Sequence, residues 1–152
     1  MFRRILVALD NSDLGETVFQ EALAIANATQ ANLMLLHILS DSEVGYLDFR
    51  NLDEHLDNWE QYKQQGLLML QSRWAIASEA GVNATFLQIP GAAPTSICRV
   101  AQSWNADLIV IGQRALDGMQ RLIQGSVSNY VLHRAPCSVM TVHAPAVVGA
   151  AR

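Results

Sequence analysis

Charge is scarce in this chain. Asp, Glu, Lys and Arg make up 16% of its 152 residues, and 10 basic residues face 14 acidic ones, for a net charge of -4 at pH 7. A chain short of Lys and Arg has no footprint for a phosphate backbone, so nucleic acid is excluded as its main partner. An anionic small ligand would need a local device, such as aligned backbone amides or one placed cation. Cysteine is almost missing: Cys98 and Cys137 lie far apart, which is neither a disulfide framework nor a zinc spacing, and they read as small buried thiols. Long hydrophobic runs are absent too, and no stretch approaches membrane-spanning length. Ile5 to Leu9 follows Arg3 and Arg4 but stops at Asp10, too short for the core of a signal peptide, so a cytoplasmic protein is expected.

Apolar residues, in contrast, are plentiful at 51%, enough for one packed core. The length fits one domain. Ile5 to Leu9 reads as a strand buried on both faces, and Leu33 to Leu39, Val82 to Ile89, Leu108 to Ile111 and Ser138 to Val142 read as four more. Helical patterns alternate with them: Leu14 to Thr29, Asp53 to Ala80, a segment after Pro94 bearing Ile97, Val100, Ala101 and Trp104, and a short helix from Ser126 to about Arg134. Leu56, Trp59, Leu67, Leu70, Trp74 and Ala77 are expected on one apolar face of the long helix, and Val127, Tyr130 and Val131 face inward on the last. Gly66 interrupts the long helix at a cost of about 1 kcal/mol, and Gly81 is placed to cap it. Strands alternating with crossover-length helices predict an α/β fold with a parallel sheet covered on both faces. One unit over 1–143 is expected, with 144–152 a loose tail. There is no internal repeat.

In such a sheet ligands bind beyond the carboxyl ends of the strands, where strand order reverses. Three features converge on that rim: Asp10 after the first strand, His37 and Ile38 closing the second, and the segment from Gly112 to Ser128 after the fourth. Gly125 and Ser126 stand before the last helical pattern, where unpaired amides and the helix dipole hold phosphates without a charged side chain. The same pair serves equally as an ordinary helix cap. Asp10 reads either as a cap for the first helix or as a ligand contact. Arg114 fits a solvated surface residue and is also within the segment that would reach a phosphate. His37, in an apolar strand with no second ligand at metal spacing, reads as a hydrogen-bonded core histidine.

The stretches ILVALDNS (5–12), LMLLHIL (33–39) and DLIVIGQRALDGMQRLIQGSVSNYVLHRAPCSVMTV (107–142) resemble the universal stress proteins over nearly the whole chain. Nucleotide-binding members of that family carry Gly-x2-Gly-x9-Gly-Ser/Thr. Here the positions are Gly112, Ala115, Gly125 and Ser126, so the spacing is kept while the middle glycine is replaced by alanine.

The resemblance implies an open five-stranded parallel sheet in the order 3-2-1-4-5, of the adenine nucleotide hydrolase-like, Rossmann-like kind. It implies a pocket for ATP or another adenine nucleotide, with Mg2+ or Mn2+. Asp10 would line its nucleoside end or help hold the metal, and Ile38 would meet the base. Gly112 and the peptide around Ala115 would contact ribose and phosphates, and Gly125, Ser126 and Val127 would cradle the phosphates. Dimers would pair fifth strands, here Val139 to Val142. The expected function is that of a dimeric, ATP-binding regulatory protein of the stress response. The alternatives are a nucleotide-independent interaction module of the same fold and a weak ATP hydrolase. No Walker lysine, carboxylate pair or nucleophile with a positioned base is present, so no catalytic residue is assigned.

Overall fold

Ile5, Leu6 and Val7 are each fully buried, so the first strand is covered on both faces, and that sets the plan of the layers. In the computed structural model, which describes residues 1–40, 52–113 and 119–143, nine elements follow in order: β1 (Arg4–Ala8), α1 (Asp13–Thr29), β2 (Asn32–Leu39), α2 (Leu52–Glu79), β3 (Ala84–Pro90), α3 (Ala93–Trp104), β4 (Leu108–Gln113), α4 (Met119–Arg134) and β5 (Ser138–His143). All four pairings are parallel, and the order is β3-β2-β1-β4-β5. Side chains alternate across the strands and divide the core in two. Ile5, Val7, Leu33, Leu35 and Val110 pack under Phe19 and Ala22 of α1 and Leu70 and Ala77 of α2. Leu6, Leu36, Ile109 and Ile111 pack on the other face with Ile97 and Ala101 of α3 and Val131 of α4.

Local chemistry sets where elements start and stop. Ser12 is the N-cap of α1, its hydroxyl accepting from the Gly15 N–H at 3.1 Å. Gly81 takes a φ of +82° just after α2, the left-handed turn that favours glycine at a helix end. The Asp107 carboxylate accepts from the backbone N–H of Arg3 at 2.7 Å and of Arg4 at 3.0 Å, pinning the start of β1 to the start of β4.

Three expectations are corrected. The last helix begins at Met119 and not at Ser126. The six residues from Met119 to Gln124 are ordinary helix formers, and one glycine costs a helix interior only about 1 kcal/mol. Tyr130, placed inward by its spacing, is exposed, while Val131 is fully buried and Val127 half-buried. On α2, Leu56 is 50% exposed and Trp74 is 41% exposed, so part of the apolar stripe runs beyond the sheet. Among the described residues, no helix is long and apolar enough to cross a membrane.

Candidate functional site at the carboxyl rim of the sheet

Register brings the rim together. Ala8 pairs with Leu36 and Val7 with Val110, so Asp10, Ile38 and Gly112 stand near one level at the ends of three adjacent strands. The sheet order reverses direction at β1, and this is its switch point.

Asp10 shapes the turn that follows β1. Its Oδ1 accepts from the Ser12 backbone N–H at 3.0 Å and from the Ser12 hydroxyl. The carboxylate therefore orients Ser12, and it is Ser12 and not Asp10 that caps α1. Gly15 makes room for this turn, because a Cβ there would sit 2.5 Å from the Asp10 carbonyl oxygen and 2.8 Å from Oδ1. Gly112 has a comparable role toward α1: a Cβ would come within 3.0 Å of both Leu14 Cδ2 and Val18 Cγ2. Its missing side chain lets α1 lie close against the end of β4.

Ile38 packs its side chain into the core beneath α3 and α4. Its peptide is placed differently. The rungs from Asn32 N–H to the Arg3 carbonyl and from Leu9 N–H to the Leu36 carbonyl show that even-numbered residues of β2 turn their backbone groups toward β1. Among the described residues the rung at Leu36 is the last, so the Ile38 groups point past the end of β1 into the crevice.

Beside Ile38 lies a partly buried polar relay that sequence reasoning had only in part. His37 is 1% exposed, and its Nδ1 is 2.8 Å from Gln88 Oε1. Gln88 Nε2 donates to the Lys63 carbonyl at 3.2 Å, which turns Oε1 toward the ring, so Nδ1 carries the proton and Nε2 is the acceptor. The Tyr62 hydroxyl stands 3.4 Å from His37 Nε2 and 3.4 Å from the Ile38 carbonyl oxygen. Gly66 makes the relay possible. A Cβ there would collide with Gln88 Oε1 and come within 2.6 Å of His37 Nδ1. His37 is thus the hydrogen-bonded core residue expected of it. Tyr62 and Gln88 were missed, and the one signal for them was a glycine inside a helix.

The phosphate end differs from expectation. An α-helix leaves only the amides of its first turn unpaired, and α4 begins at Met119. Gly125 and Ser126 lie beyond that turn, so in this conformation their amides belong to the helix ladder and not to an anion cradle. Val127 is half-buried and packs against the core beneath α3 and α4. Arg114 and Ala115 lie outside the described residues. The residues present therefore suit the nucleoside end of a nucleotide, while the phosphate end would require α4 to open. Among the described residues no cluster of three or more His, Cys, Asp or Glu is arranged to hold a metal ion.

Two other features are set aside from the rim. Cys98 and Cys137 are half-buried free thiols. Burial pushes both thiols up, and for Cys137 the charge of Asp107 and the neighbouring Cys98 push further in the same direction. An open cavity of about 440 Å³ lies between α2 and β3, lined by Leu39, Trp59, Lys63, Leu67, Phe86 and Gln88 among others.

A doubly wound parallel sheet with its switch point at β1 defines a Rossmann-like α/β protein with a ligand rim at the strand ends. The universal stress protein family model matches residues 1–143, and the chain belongs to that family. Universal stress protein Sll1388 of Synechocystis is 31% identical, with 93% of this chain and 97% of that protein covered. Among solved structures, the universal stress protein UspA of Lactobacillus plantarum superposes with a TM-score of 0.78 at 26% identity, covering 93% of this chain and 97% of that one. A family member of Arabidopsis thaliana with AMP bound superposes with a TM-score of 0.67 at 20% identity, covering 95% and 93%. Two further universal stress proteins of the same fold were solved with cAMP and, from Archaeoglobus fulgidus, with dAMP.

Proposed function

We propose that this chain is an adenine-nucleotide-binding regulatory protein of the stress response that acts as a cytoplasmic dimer. The observation that carries the reading is the register that sets Asp10, Ile38 and Gly112 side by side at the switch point, with the Ile38 peptide beyond the last rung of β2 on β1. The AMP, cAMP and dAMP held by its structural neighbours support the choice of adenine.

In this reading Ile38 meets the base. Asp10 faces the nucleoside, because a carboxylate repels a triphosphate. Gly112, Arg114 and Ala115 flank ribose and phosphates, and Gly125, Ser126 and Val127 cradle the phosphates once the first turns of α4 open. That opening lowers the apparent affinity by the fraction of chains in the competent state. Ala115 adds a further cost of about 1–2 kcal/mol if its position needs a positive φ. When ATP is the ligand, Mg2+ or Mn2+ supplies charge neutralisation at the phosphates.

Titration calorimetry of the full chain with AMP and with ATP and magnesium tests the reading. Saturable binding with a dissociation constant below roughly 1 mM is expected. No heat and no competition at millimolar nucleotide would remove it. A second reading, an interaction module that no longer binds nucleotide, is favoured by the placement of Gly125 and Ser126 inside α4. The same titration separates the two. Slow hydrolysis, if found, would belong to this site only if Asp10→Ala and Gly125→Ala abolish it in folded protein.

A further inference from the structure

α3 starts without the cap that α1 has. Its N-cap is Ala92, which makes no side-chain bond to the first turn, and that turn holds no acidic residue. The Ser96 N–H gives the first rung, to the Ala92 carbonyl at 3.0 Å. Ahead of it Pro94 has no N–H, so the amides of Ala93 and Thr95 are the ones the turn has to offer. Among the described residues neither amide finds an acceptor. The positive end of the helix dipole lies at the same place.

The Ser96 hydroxyl is buried against this end of the helix. Ser96 is 6% exposed, and among the described residues its Oγ has no hydrogen-bond partner. A buried hydroxyl normally has one, because leaving it unpaired costs free energy. The oxygen points back along the helix: a Cβ on Gly91, the residue before the N-cap, would lie 2.7 Å from it. Gly91 has a φ of +147° and donates to the Leu39 carbonyl at 3.1 Å, which fixes the start of α3 to the end of β2 on the ligand rim. Exposed Arg99 follows Thr95 by one turn and shares its side of the helix.

We propose that the start of α3 is an oxyanion site: the Ala93 and Thr95 amides and the Ser96 hydroxyl hold a phosphate-type group, either free phosphate or the phosphoryl group of a larger ligand. Aligned amides at a helix start hold such a group without a paired cation, which suits a chain with 10 basic residues against 14 acidic ones. The site goes beyond the nucleotide reading, and it does not require α4 to open.

The test titrates inorganic phosphate into the full chain, followed by amide NMR, with chloride at matched ionic strength as control. The Ala93 and Thr95 signals should move saturably with phosphate and not with chloride. Ser96→Ala removes an unpaired hydroxyl, so it should keep or raise stability to urea while weakening phosphate about five- to tenfold. Ala92→Asp supplies the missing cap, whose carboxylate takes up the amides and repels an anion. It should stabilise the free protein and weaken phosphate by about tenfold or more. Equal shifts with chloride, or unchanged phosphate affinity in either variant, would overturn the site. Competition names the source: AMP that displaces phosphate from these amides makes a nucleotide phosphoryl group the ligand, and phosphate that still binds in protein saturated with AMP makes it a free oxyanion. A chain that binds phosphate here but no nucleotide keeps this site and loses the nucleotide reading, and the reverse result loses this site alone.

Discussion

The indole N–H of Trp74 donates to the carbonyl of Ala84 at 2.9 Å, and this bond closes part of an exposed sheet edge. Leu33 donates to the Asn83 carbonyl and Gly91 to the Leu39 carbonyl, so odd-numbered residues of β3 face β2 and Ala84, Phe86 and Gln88 face outward. Trp74 takes the first outward carbonyl, and Pro90 ends the strand without a donor. The opposite edge has neither device. Ile5 turns its backbone groups toward β2, so its partner Leu108 turns toward β1 and Ser138, in register with Leu108, toward β4; Val139, Thr141 and His143 therefore present their backbone groups to the outside of β5. Unblunted edges are the ones that pair. Thr141→Pro removes an outward donor and no ladder bond, so it should dissociate the proposed dimer in sedimentation velocity and leave the far-UV spectrum unchanged. A dimer that persists would exclude pairing through β5. Trp74→Phe should lower stability to urea by about 1 kcal/mol and raise self-association with concentration.

Gly66 faces Gln88 and His37 at a distance no side chain tolerates. On an open helix surface Gly→Ala gains about 1 kcal/mol. Here the added methyl pushes α2 off the relay, so Gly66→Ala should instead destabilise by about 2–3 kcal/mol, the usual cost of overpacking. Urea unfolding of Gly66→Ala against Ser72→Ala, an exposed position on the same helix, measures the difference.

Ser12 and Asp10 share one turn but have separable roles. Ser12→Ala removes the cap on the Gly15 N–H and a donor to Asp10. It should cost about 1 kcal/mol of stability, with little effect on nucleotide affinity. Asp10→Ala should cost a similar amount and weaken AMP binding as well. Equal affinity in the two variants would leave Asp10 as a turn former alone.

Raised thiol pKa values predict quiet cysteines. Cys98 and Cys137 are both pushed above the ordinary value of 9.0, chiefly by burial. Their thiols stay protonated in the fold at a pH where the unfolded chain has begun to ionise. Their contribution to stability is therefore complete below pH 9 and is lost as pH rises through the folded values. Alkylation at neutral pH should be slow in native protein and rapid in urea, and urea midpoints should fall above pH 9 less steeply in a Cys98→Ala, Cys137→Ala double variant.

The layered sheet was legible because strands buried on both faces are continuous apolar runs, and β1, β2 and β4 each display one. Strand order depends on contacts between distant segments, and only the resemblance to a family supplied it. Periodicity marked the apolar stripe of α2 but not how much of it the sheet could cover. A helix of 28 residues is about 42 Å long. A strand of seven spans about 23 Å, so Leu56 lies on the overhang. At the rim, Asp10 was legible as a residue that follows the first strand, and Ile38 and Gly112 as residues that close the second and fourth. Tyr62 and Gln88 were not, because each is an ordinary polar residue until the fold stacks α2 on β2 and β3.

Gly125 separates the two states on which the nucleotide reading depends. With α4 running from Met119 to Arg134, it is a glycine in a helix interior. Gly125→Ala should then stabilise the free protein by about 1 kcal/mol. The closed helix would also gain over the opened form by that amount, and a methyl would stand where backbone must approach a phosphate. The apparent affinity for ATP should consequently fall by about tenfold or more. Adenosine, which has no phosphate to cradle, should bind as before. Calorimetry with both ligands, read beside a urea titration, gives three numbers on one variant. A stabilised protein with unchanged ATP affinity would place the phosphates away from Gly125. A destabilised one would mean that α4 does not run through this residue in the free chain.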